Sequence, residues 1–462
     1  MTMTRIEPTE TLLDDGAVRS LADGFRGQLV RPRADGYDAA RTVWNAMIDR
    51  RPALIARCTE AADVVAAVRF AQEEQLPVSV KGGGHNVAGK AVADGGLMID
   101  LTPMKGIAVD PAARTARAEP GLLWEEFDAA THAHGLATTG GVVGTTGIAG
   151  LTLGGGQGWL AGKHGLSVDN LLAVDVVTAD GEQRRASAAE NADLFWAMRG
   201  AGANFGIVTA FEYRLHPVET VLGGMVIHPF ERAPEVLRFY REFAASQPDE
   251  LTTYAAVLTG PDGNPVVALV ACYAGTLVDG EYALAPLRGF GQPVADTFAP
   301  IPYVAMQALL GPSFPHGRLH YWKSGLTNRI TDGAIEVIAD YGRRIPSPLT
   351  AIVFIDCHGA ASRVAKTETA YFHRDLQFDF AIYSQWADAA ATDANVAWTR
   401  QFFAAVEPEL AGAVYVNDLD EDDGTARVRQ AYGSNYERLA ELKSEYDPAN
   451  FFRMNQNIVP RG

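Results

Sequence analysis

The chain has 462 residues, 47% apolar and 21% charged, with a formal net charge of −17 at pH 7. That balance excludes a disordered chain and allows a sizeable core spread over two domains. The acidic excess and the lack of any Lys/Arg run exclude nucleic acid as a partner and favour a neutral or cationic ligand. Cys58, Cys272 and Cys357 are odd in number and widely spaced, which fits neither a disulfide framework nor a zinc motif, so reduced thiols in a cytoplasmic setting are expected. Residues 1–16 carry acids and no apolar leader, and nowhere do about 18 apolar residues run together uncharged, so neither a signal peptide nor a membrane span is expected.

Residues 37–47 have helical spacing, and Ala53-Leu54-Ile55-Ala56 reads as a strand. Thr59 is placed to cap the next helix, with Glu60 and Asp63 complementing its dipole and Ala61, Val64, Val65, Val68 and Ala71 recurring along it. The apolar run Pro77-Val78-Ser79-Val80 then predicts a buried strand that completes a βαβ-like unit and delivers Lys81-Gly82-Gly83-Gly84-His85-Asn86. Glycines at a strand end accept positive φ and turn bare amides toward an anion, typically a phosphate. A neutral imidazole in such a loop is a competent nucleophile, which makes His85 a candidate for a covalent bond to a flavin.

Strand-like pieces at 97–101 and 116–118 flank the turn at Asp110-Pro111, and residues 123–134 read as a helix ended by Gly135. His132 and His134, two apart on a helix, do not share a face, so no metal site is read there. Glycine density rises over residues 140–159. Such a run predicts neither helix nor strand, since each interior glycine costs on the order of 0.5–1 kcal/mol relative to alanine. A long ligand laid along the loop would offset that, and the interleaved Ile148, Leu151, Leu153, Trp159 and Leu160 call for burial. Gly156-Gln157-Gly158-Trp159-Leu160-Ala161 matches the dinucleotide fingerprint formally, with Asp175 near the ribose distance. Fewer than a dozen residues separate Gly158 from the next strand at 171–178, which leaves no room for the crossover helix.

Asp180-Gly181 predicts a hairpin turn, and Asn191 caps a helix bearing Leu194, Phe195, Trp196 and Met198. The cluster Gly200-Ala201-Gly202-Ala203-Asn204-Phe205-Gly206 leads into a strand alternating Phe211, Tyr213 and Leu215 with polar residues, and Pro217 closes it. Residues 219–414 hold strands at 222–228, 253–258, 266–273, 349–357 and 378–386, with helices at 235–245 and 332–344. That texture predicts an antiparallel sheet backed by helices on the substrate side, with Tyr254, Tyr321, Trp322, Lys323, Asp356, Tyr383 and Gln385 as candidates to line a cavity. Residues 415–418 read as a strand, Ser434 and Glu437 as a capping box, and Asp447-Pro448 as a helix stop. The amides Asn455, Gln456 and Asn457 beside Phe451 and Phe452 suit a polar heteroaromatic edge.

Lys81-Gly82-Gly83-Gly84-His85, residues 141–158 and 200–208, and the tail from Tyr432-Gly433 through Tyr446-Asp447-Pro448 to Asn455-Gln456-Asn457-Ile458 together resemble one family. It is the berberine-bridge-enzyme-like group of FAD-linked oxidoreductases, with a PCMH-type (vanillyl-alcohol-oxidase-type) FAD-binding domain. The resemblance implies a two-domain α+β fold. Residues 1–218 would form the FAD-binding domain, with a PCMH-type core at about 49–218, residues 219–414 an inserted substrate-binding domain, and residues 415–462 a segment returning to the FAD domain. It implies that His85 bonds the flavin 8α-methyl carbon. FAD would be held by Lys81, Gly82, Gly83, Gly84, Asn86, Gly141, Val143, Gly144, Thr145, Thr146, Gly147, Gly150, Leu151, Gly155, Gly158, Gly206, Val208, Gln456 and Asn457.

Many relatives add a second link through a cysteine where this chain has Val143, so no cysteinyl bond is expected. Thr146 and Leu151 match positions near the oxygen-reactive face of the flavin. The family's tail often reads Tyr-x-Asn followed by an aromatic, and Asp418 stands in the aromatic's place, which leaves the general base open among Tyr415, Asp418 and Asp356, with Thr146 as a further catalytic hydroxyl. The implied activity is an FAD-dependent oxidase that passes a hydride from a small alcohol, sugar, or polyketide or aromatic metabolite to flavin N5, with O2 as acceptor. A flavin dehydrogenase using another acceptor and a non-catalytic flavin-dependent ligand-binding protein stay open as alternatives, as do the substrate and the oligomeric state.

Overall fold

The computed structural model describes residues 13–461; residues 1–12, with most of the acidic N-terminal stretch, and Gly462 lie outside them. The first sheet has four strands in the order Gln28–Val30, Leu54–Arg57, Leu97–Asp100, Val78–Lys81. Leu54–Arg57 and Val78–Lys81 both pair parallel with Leu97–Asp100, whose four residues are all buried. A parallel strand covered on both faces needs an unbroken apolar run, and Leu97-Met98-Ile99 supplies it. The crossover helix Ala61–Glu73 starts differently from the sequence expectation. Thr59 does not cap it; the Asp63 carboxylate instead accepts from the Thr59 amide and hydroxyl, each at 2.9 Å. The helix expected over 37–47 stops at Arg41. Beyond it the backbone is recruited by distant partners: Trp44 N–H donates to Gly84 O and Ala46 N–H to Arg318 O, so tertiary pairing overrides local spacing.

The second sheet is wholly antiparallel, in the order Ile107–Asp110, Thr115–Ala118, Ile207–Arg214, Leu171–Val177, Gln183–Ser187. Along the chain the glycine-rich run falls between Thr115–Ala118 and Leu171–Val177 of this second sheet, and it holds a short helix, Ile148–Leu153, where none was expected. Only Gly150 is an interior glycine there, so the propensity cost is that of one residue. Burial of Ile148, Ala149, Thr152 and Leu153 against the core offsets it.

The third sheet has eight strands, every pairing antiparallel. Its main order is Ala295–Asp296, Thr220–Pro229, Pro265–Tyr273, Leu251–Thr259, Ala351–Asp356, Phe378–Trp386, Leu319–Thr327. Helices Ala233–Ala244, Asp332–Gly342 and Thr392–Val406 share a hydrophobic core with one face. The other face packs with Ala137, Trp159 and Leu160 from the glycine-rich side. The strand Leu319–Thr327 and the helix Thr392–Val406 were not expected. The strand alternates charged and small residues with aromatics, which hides its period. One segment in the middle of this stretch packs elsewhere: Ala361, Ala370 and Tyr371 join the core around Trp196, and the buried Arg374 guanidinium donates to both Asp169 oxygens at 2.8 Å.

Residues 416–418 form a 3-10 turn, Val416–Asp418, not a strand. The expected capping box is absent, because Ser434 has helical φ/ψ and makes no cap bond, whereas a side-chain cap needs an extended backbone there. Glu437 pairs instead with Arg429 and Arg461. Inside the following helix, Asn435–Tyr446, the fully buried Lys443 ammonium donates to Asp447 at 2.6 Å, Asn204 O at 2.7 Å and Phe452 O at 2.9 Å. This knot fastens the tail to the glycine cluster around residue 204. Among the described residues no helix is long and apolar enough to cross a membrane.

Candidate active site

Two connected cavities run between the glycine loops and the large sheet, sharing Val80, Gly82, Asn86, Ala91, Gly150 and Asn417 as walls. The narrow one, about 180 Å³, lies between Gly200 to Val208 and the tail residues Met454, Asn455 and Gln456. The wide one, about 660 Å³, opens between the His85 loop and the sheet residues Tyr254, Trp322, Val353, Ile355 and Tyr383.

The two glycine loops cross at the wall of the wide cavity. A Cβ on Gly83 would sit 2.4 Å from Gly147 N, and a Cβ on Gly147 would sit 2.4 Å from Gly83 N, so the crossing admits no side chain on either strand. Gly84 turns at φ +67°, which aims the chain back so that His85 enters the cavity. The imidazole stacks on Trp44, ring centres 4.2 Å apart and 20° between planes, and the other face of Trp44 stacks on His320 at 3.7 Å and 21°. The His85 Nε2 lies 3.3 Å from Thr145 Oγ1. Loss of water around the ring, then the neighbouring His316 and His320, hold its pKa down at about 3. The ring is therefore neutral at physiological pH, the form a nucleophile needs.

The same cavity has an acid in its wall, Asp418, with Asp379 buried nearby. Alternation along Phe378–Trp386 puts Asp379, Ala381 and Tyr383 on one face. Asp379 accepts from Gln157 Nε2 at 3.1 Å, its other oxygen is buried without a partner, and the same holds for Oδ2 of Asp418. Burial raises Asp418 to about 7 and, together with the charge of Asp418, lifts Asp379 well above the ordinary carboxylate range. Tyr415 lines the same cavity with its hydroxyl oxygen accepting from Gly156 N–H at 2.9 Å and Asn417 Nδ2 at 2.7 Å. Burial, with the charges of Asp418 and Asp379, raises the pKa of this phenol, while the two donors on its oxygen favour the phenolate and oppose that rise.

The structure thus brings together His85, Gly82, Gly83, Gly84, Asn86, Gly141, Val143, Thr146, Gly147, Gly150, Leu151, Gly206, Val208, Gln456, Tyr415 and Asp418 around the two cavities. Thr145 joins them through His85. Lys81 does not line either cavity: its ammonium donates to the carbonyls of Ala40 and Thr42 at 2.9 and 2.8 Å. Gly144 packs on Glu125, Gly155 on Tyr371 and Gly158 against the Gly140 carbonyl, and Asn457 is likewise off the walls, with its Oδ1 buried and unpartnered. Asp356 is displaced from the expected catalytic group. It lies on the opposite face of its strand from Val353 and Ile355, bonded to His358, Gln247 and Gln377. Tyr321 and Lys323 also face away, toward Asp422, and Gln385 bonds the Ser313 and Leu349 carbonyls. Asp379, Gln157 and Trp44 escaped the sequence reading. For Asp379 the signal was a lone acid sharing strand parity with Tyr383.

The narrow cavity is walled by the bare backbone of Gly82, Gly150, Gly154, Gly200 and Gly206, and a Cβ on Gly150 would meet nothing within 4 Å. On its rim Asn455 holds a buried Oδ1 without a partner. A backbone cradle continuing into a wide apolar chamber beside a neutral imidazole fits a long ligand with a polar tail and a flat head, as FAD is.

The comparisons agree. The FAD binding domain family matches residues 52–187, and the berberine and berberine-like family matches residues 414–459. An FAD-linked oxidoreductase of Dictyostelium discoideum is 32% identical over 96% of this chain and 97% of its own length. (R)-6-hydroxynicotine oxidase of Paenarthrobacter nicotinovorans is 33% identical over 95% of this chain and 98% of its own. The crystal structure of 6-hydroxy-D-nicotine oxidase from Arthrobacter nicotinovorans is 31% identical and superposes with a TM-score of 0.86 over 95% of this chain and 98% of that one. Two glycine loops crossing beside a neutral histidine, the cavities that they wall, and these likenesses over almost the whole chain place the protein among the berberine-bridge-enzyme-like FAD-linked oxidoreductases.

Proposed function

We propose that this enzyme is an FAD-dependent oxidase whose flavin is covalently held by His85 and whose substrate is a small, largely apolar organic molecule, with O2 as the terminal acceptor. The observation that carries the reading is the neutral His85 imidazole, clamped by Trp44 at the junction of a glycine-walled groove and an apolar chamber. FAD, when bound, supplies the acceptor for an electron pair from the substrate and passes it on to O2. The residues of this chain do the rest. Tyr254, Trp322, Val353, Ile355 and Tyr383 exclude water and accept an apolar body. Asp418, buried next to Asp379, takes the substrate's proton: a carboxyl with a pKa of about 7 is partly ionised at neutral pH and is basic enough to do so. Tyr415 and Thr146 offer hydroxyls to the reacting region. Asp418 with Asp379 therefore replaces Tyr415 and Asp356 as the preferred base. The three cysteines, buried or half-buried as free thiols, support a reducing cytoplasmic setting.

Acid denaturation tests the linkage: yellow colour should stay with the precipitated polypeptide, with a mass increased by one FAD, and His85→Ala should release it into solution. Flavin freed from the parent protein would refute the bond. Turnover in air should yield one hydrogen peroxide per substrate oxidised; turnover only with an artificial acceptor would exclude the oxidase.

A further inference from the structure

The triple-glycine loop presents a run of backbone donors. Among the described residues, none accepts from the amides of Gly82, Gly83, Gly84, His85 or Asn86. Backbone N–H groups are nearly always paired, and successive free ones form a concavity that suits an anion. Amides carry no net charge, so a diphosphate drawn out of water onto them also calls for a cation. Lys81, at the start of the loop, is committed to the carbonyls of Ala40 and Thr42. Among the described residues, Lys90 is the single lysine or arginine in the walls of either cavity, and no acid lines the narrow one.

A turn brings Lys90 back over the loop: Gly89 N–H donates to Asn86 O at 3.0 Å and Lys90 N–H to Asn86 Oδ1 at 3.1 Å, with Gly89 at φ +65°. Lys90 lines the narrow cavity and not the wide one that His85 enters, so it faces the tail of a ligand whose ring lies beside His85. The residue is half-buried, and among the described residues its ammonium has no hydrogen bond or ion pair. Its charged neighbours are already engaged. Arg50 donates to the carbonyls of Gly89 at 2.7 Å and Val92 at 3.2 Å and pairs with Glu421, while Asp420 accepts from the Trp322 and Glu421 amides at 2.7 and 2.6 Å. Burial, then Arg50, pull the Lys90 pKa below the ordinary lysine value against the weaker upward pull of Glu421 and Asp420, as befits an ammonium without a close counter-charge.

We propose that Lys90 is the counter-charge for the cofactor's diphosphate and the residue that selects a phosphorylated flavin over the bare one. This deepens the FAD reading and rests on it. The amides fix where the diphosphate lies, and the ammonium, a compact charge with three rotatable donors, supplies what they lack. The chain as a whole, at a formal −17, repels an anion, so the local cation decides whether the tail is held.

Binding of FAD and of riboflavin to the full-length His85→Ala protein tests this, because without a covalent bond both ligands equilibrate and quenching of flavin fluorescence reads the dissociation constants. Lys90→Met in that background is expected to weaken FAD by roughly 10- to 100-fold, the effect of one hydrogen bond to a charged group, and to leave riboflavin unchanged. Lys90→Arg should restore most of the FAD affinity, and Lys90→Gln gives the same readout as Lys90→Met if the methionine variant fails to fold. In protein that keeps His85, the phosphorus NMR resonances of bound FAD should shift on Lys90→Met. An FAD affinity that Lys90→Met leaves unchanged overturns the proposal. Equal losses for FAD and riboflavin also overturn it, since they mark a residue that only keeps the loop in shape. Oxidation of substrate by a protein that holds riboflavin as tightly as FAD removes the counter-charge and leaves the oxidase standing. Lys90-dependent FAD binding without turnover or peroxide keeps the counter-charge and removes the oxidase, and FAD leaving the wild-type protein in acid, with the Lys90 effect intact, keeps it and removes only the covalent bond.

Discussion

Replacing Gly83 by alanine puts a Cβ 2.4 Å from the amide nitrogen of Gly147 and 2.5 Å from its Cα. Both obstacles are backbone, so no rotamer relieves them, and one loop must retreat by about 1 Å to restore ordinary contact. Overpacking of this kind costs about 1–3 kcal/mol. The displaced segment carries His85 two residues on, so flavin retention should fall as well. Gly150 provides the internal control. It sits inside the helix Ile148–Leu153, exposed, with nothing within 4 Å of a built Cβ, so alanine there should stabilise the flavin-free protein by about 0.5–1 kcal/mol. Yet Gly150 walls both cavities, so Gly150→Ala should still lower flavin content. Urea unfolding of flavin-free protein and the ratio of visible flavin absorbance to polypeptide read the two effects separately. Gly83→Ala as stable as the parent, or Gly150→Ala retaining a full complement of flavin, would refute the account of the crossing loops.

Lys443→Met leaves Asp447 as an uncompensated buried charge and frees the tail from Asn204; a loss of about 3–5 kcal/mol in urea unfolding is expected. The buried Asp128, bonded by Gln307 Nε2 at 2.8 Å, has its pKa raised to about 7 chiefly by burial. A raised carboxyl favours the folded state most below its ordinary pKa, so its contribution fades as pH climbs from about 4 through about 7. Asp128→Asn should flatten that decline, and urea midpoints measured across the window would expose a failure. Trp44→Leu removes the ring that clamps His85 and should lower the covalently attached flavin fraction several-fold by intact mass, with wild-type attachment counting against the clamp.

Much of the site was legible because glycine is punctuation with a physical meaning. Gly83 and Gly147 are demanded by backbone contacts that leave no room for a Cβ, and Gly84 by a left-handed turn that favours glycine, so together they flag the loops at once. Gly144, Gly155 and Gly158 lie off the walls of both cavities, each with a neighbouring side chain or backbone against it. The strands of the large sheet were visible wherever β-branched residues ran together. Leu319–Thr327 was not, since its alternate residues answer to two different surfaces, Asp422 on one side and the cavity on the other. Where local chemistry pointed to a capping box at Ser434 or a strand at residues 415–418, distant partners drew the backbone into other forms.

The linear order of residues by itself determined the family and the cofactor class, because those depend on short runs whose backbone needs are local. The tertiary structure alone decided which acids matter. Asp356 and Asp379 sit in apolar strands that pair with each other, and the apolar run around each acid does not say which one faces the cavity side. Strand parity and register turn one toward His358 and bring the other beside Asp418, more than thirty residues distant, where loss of water lifts the carboxyl well above its ordinary range.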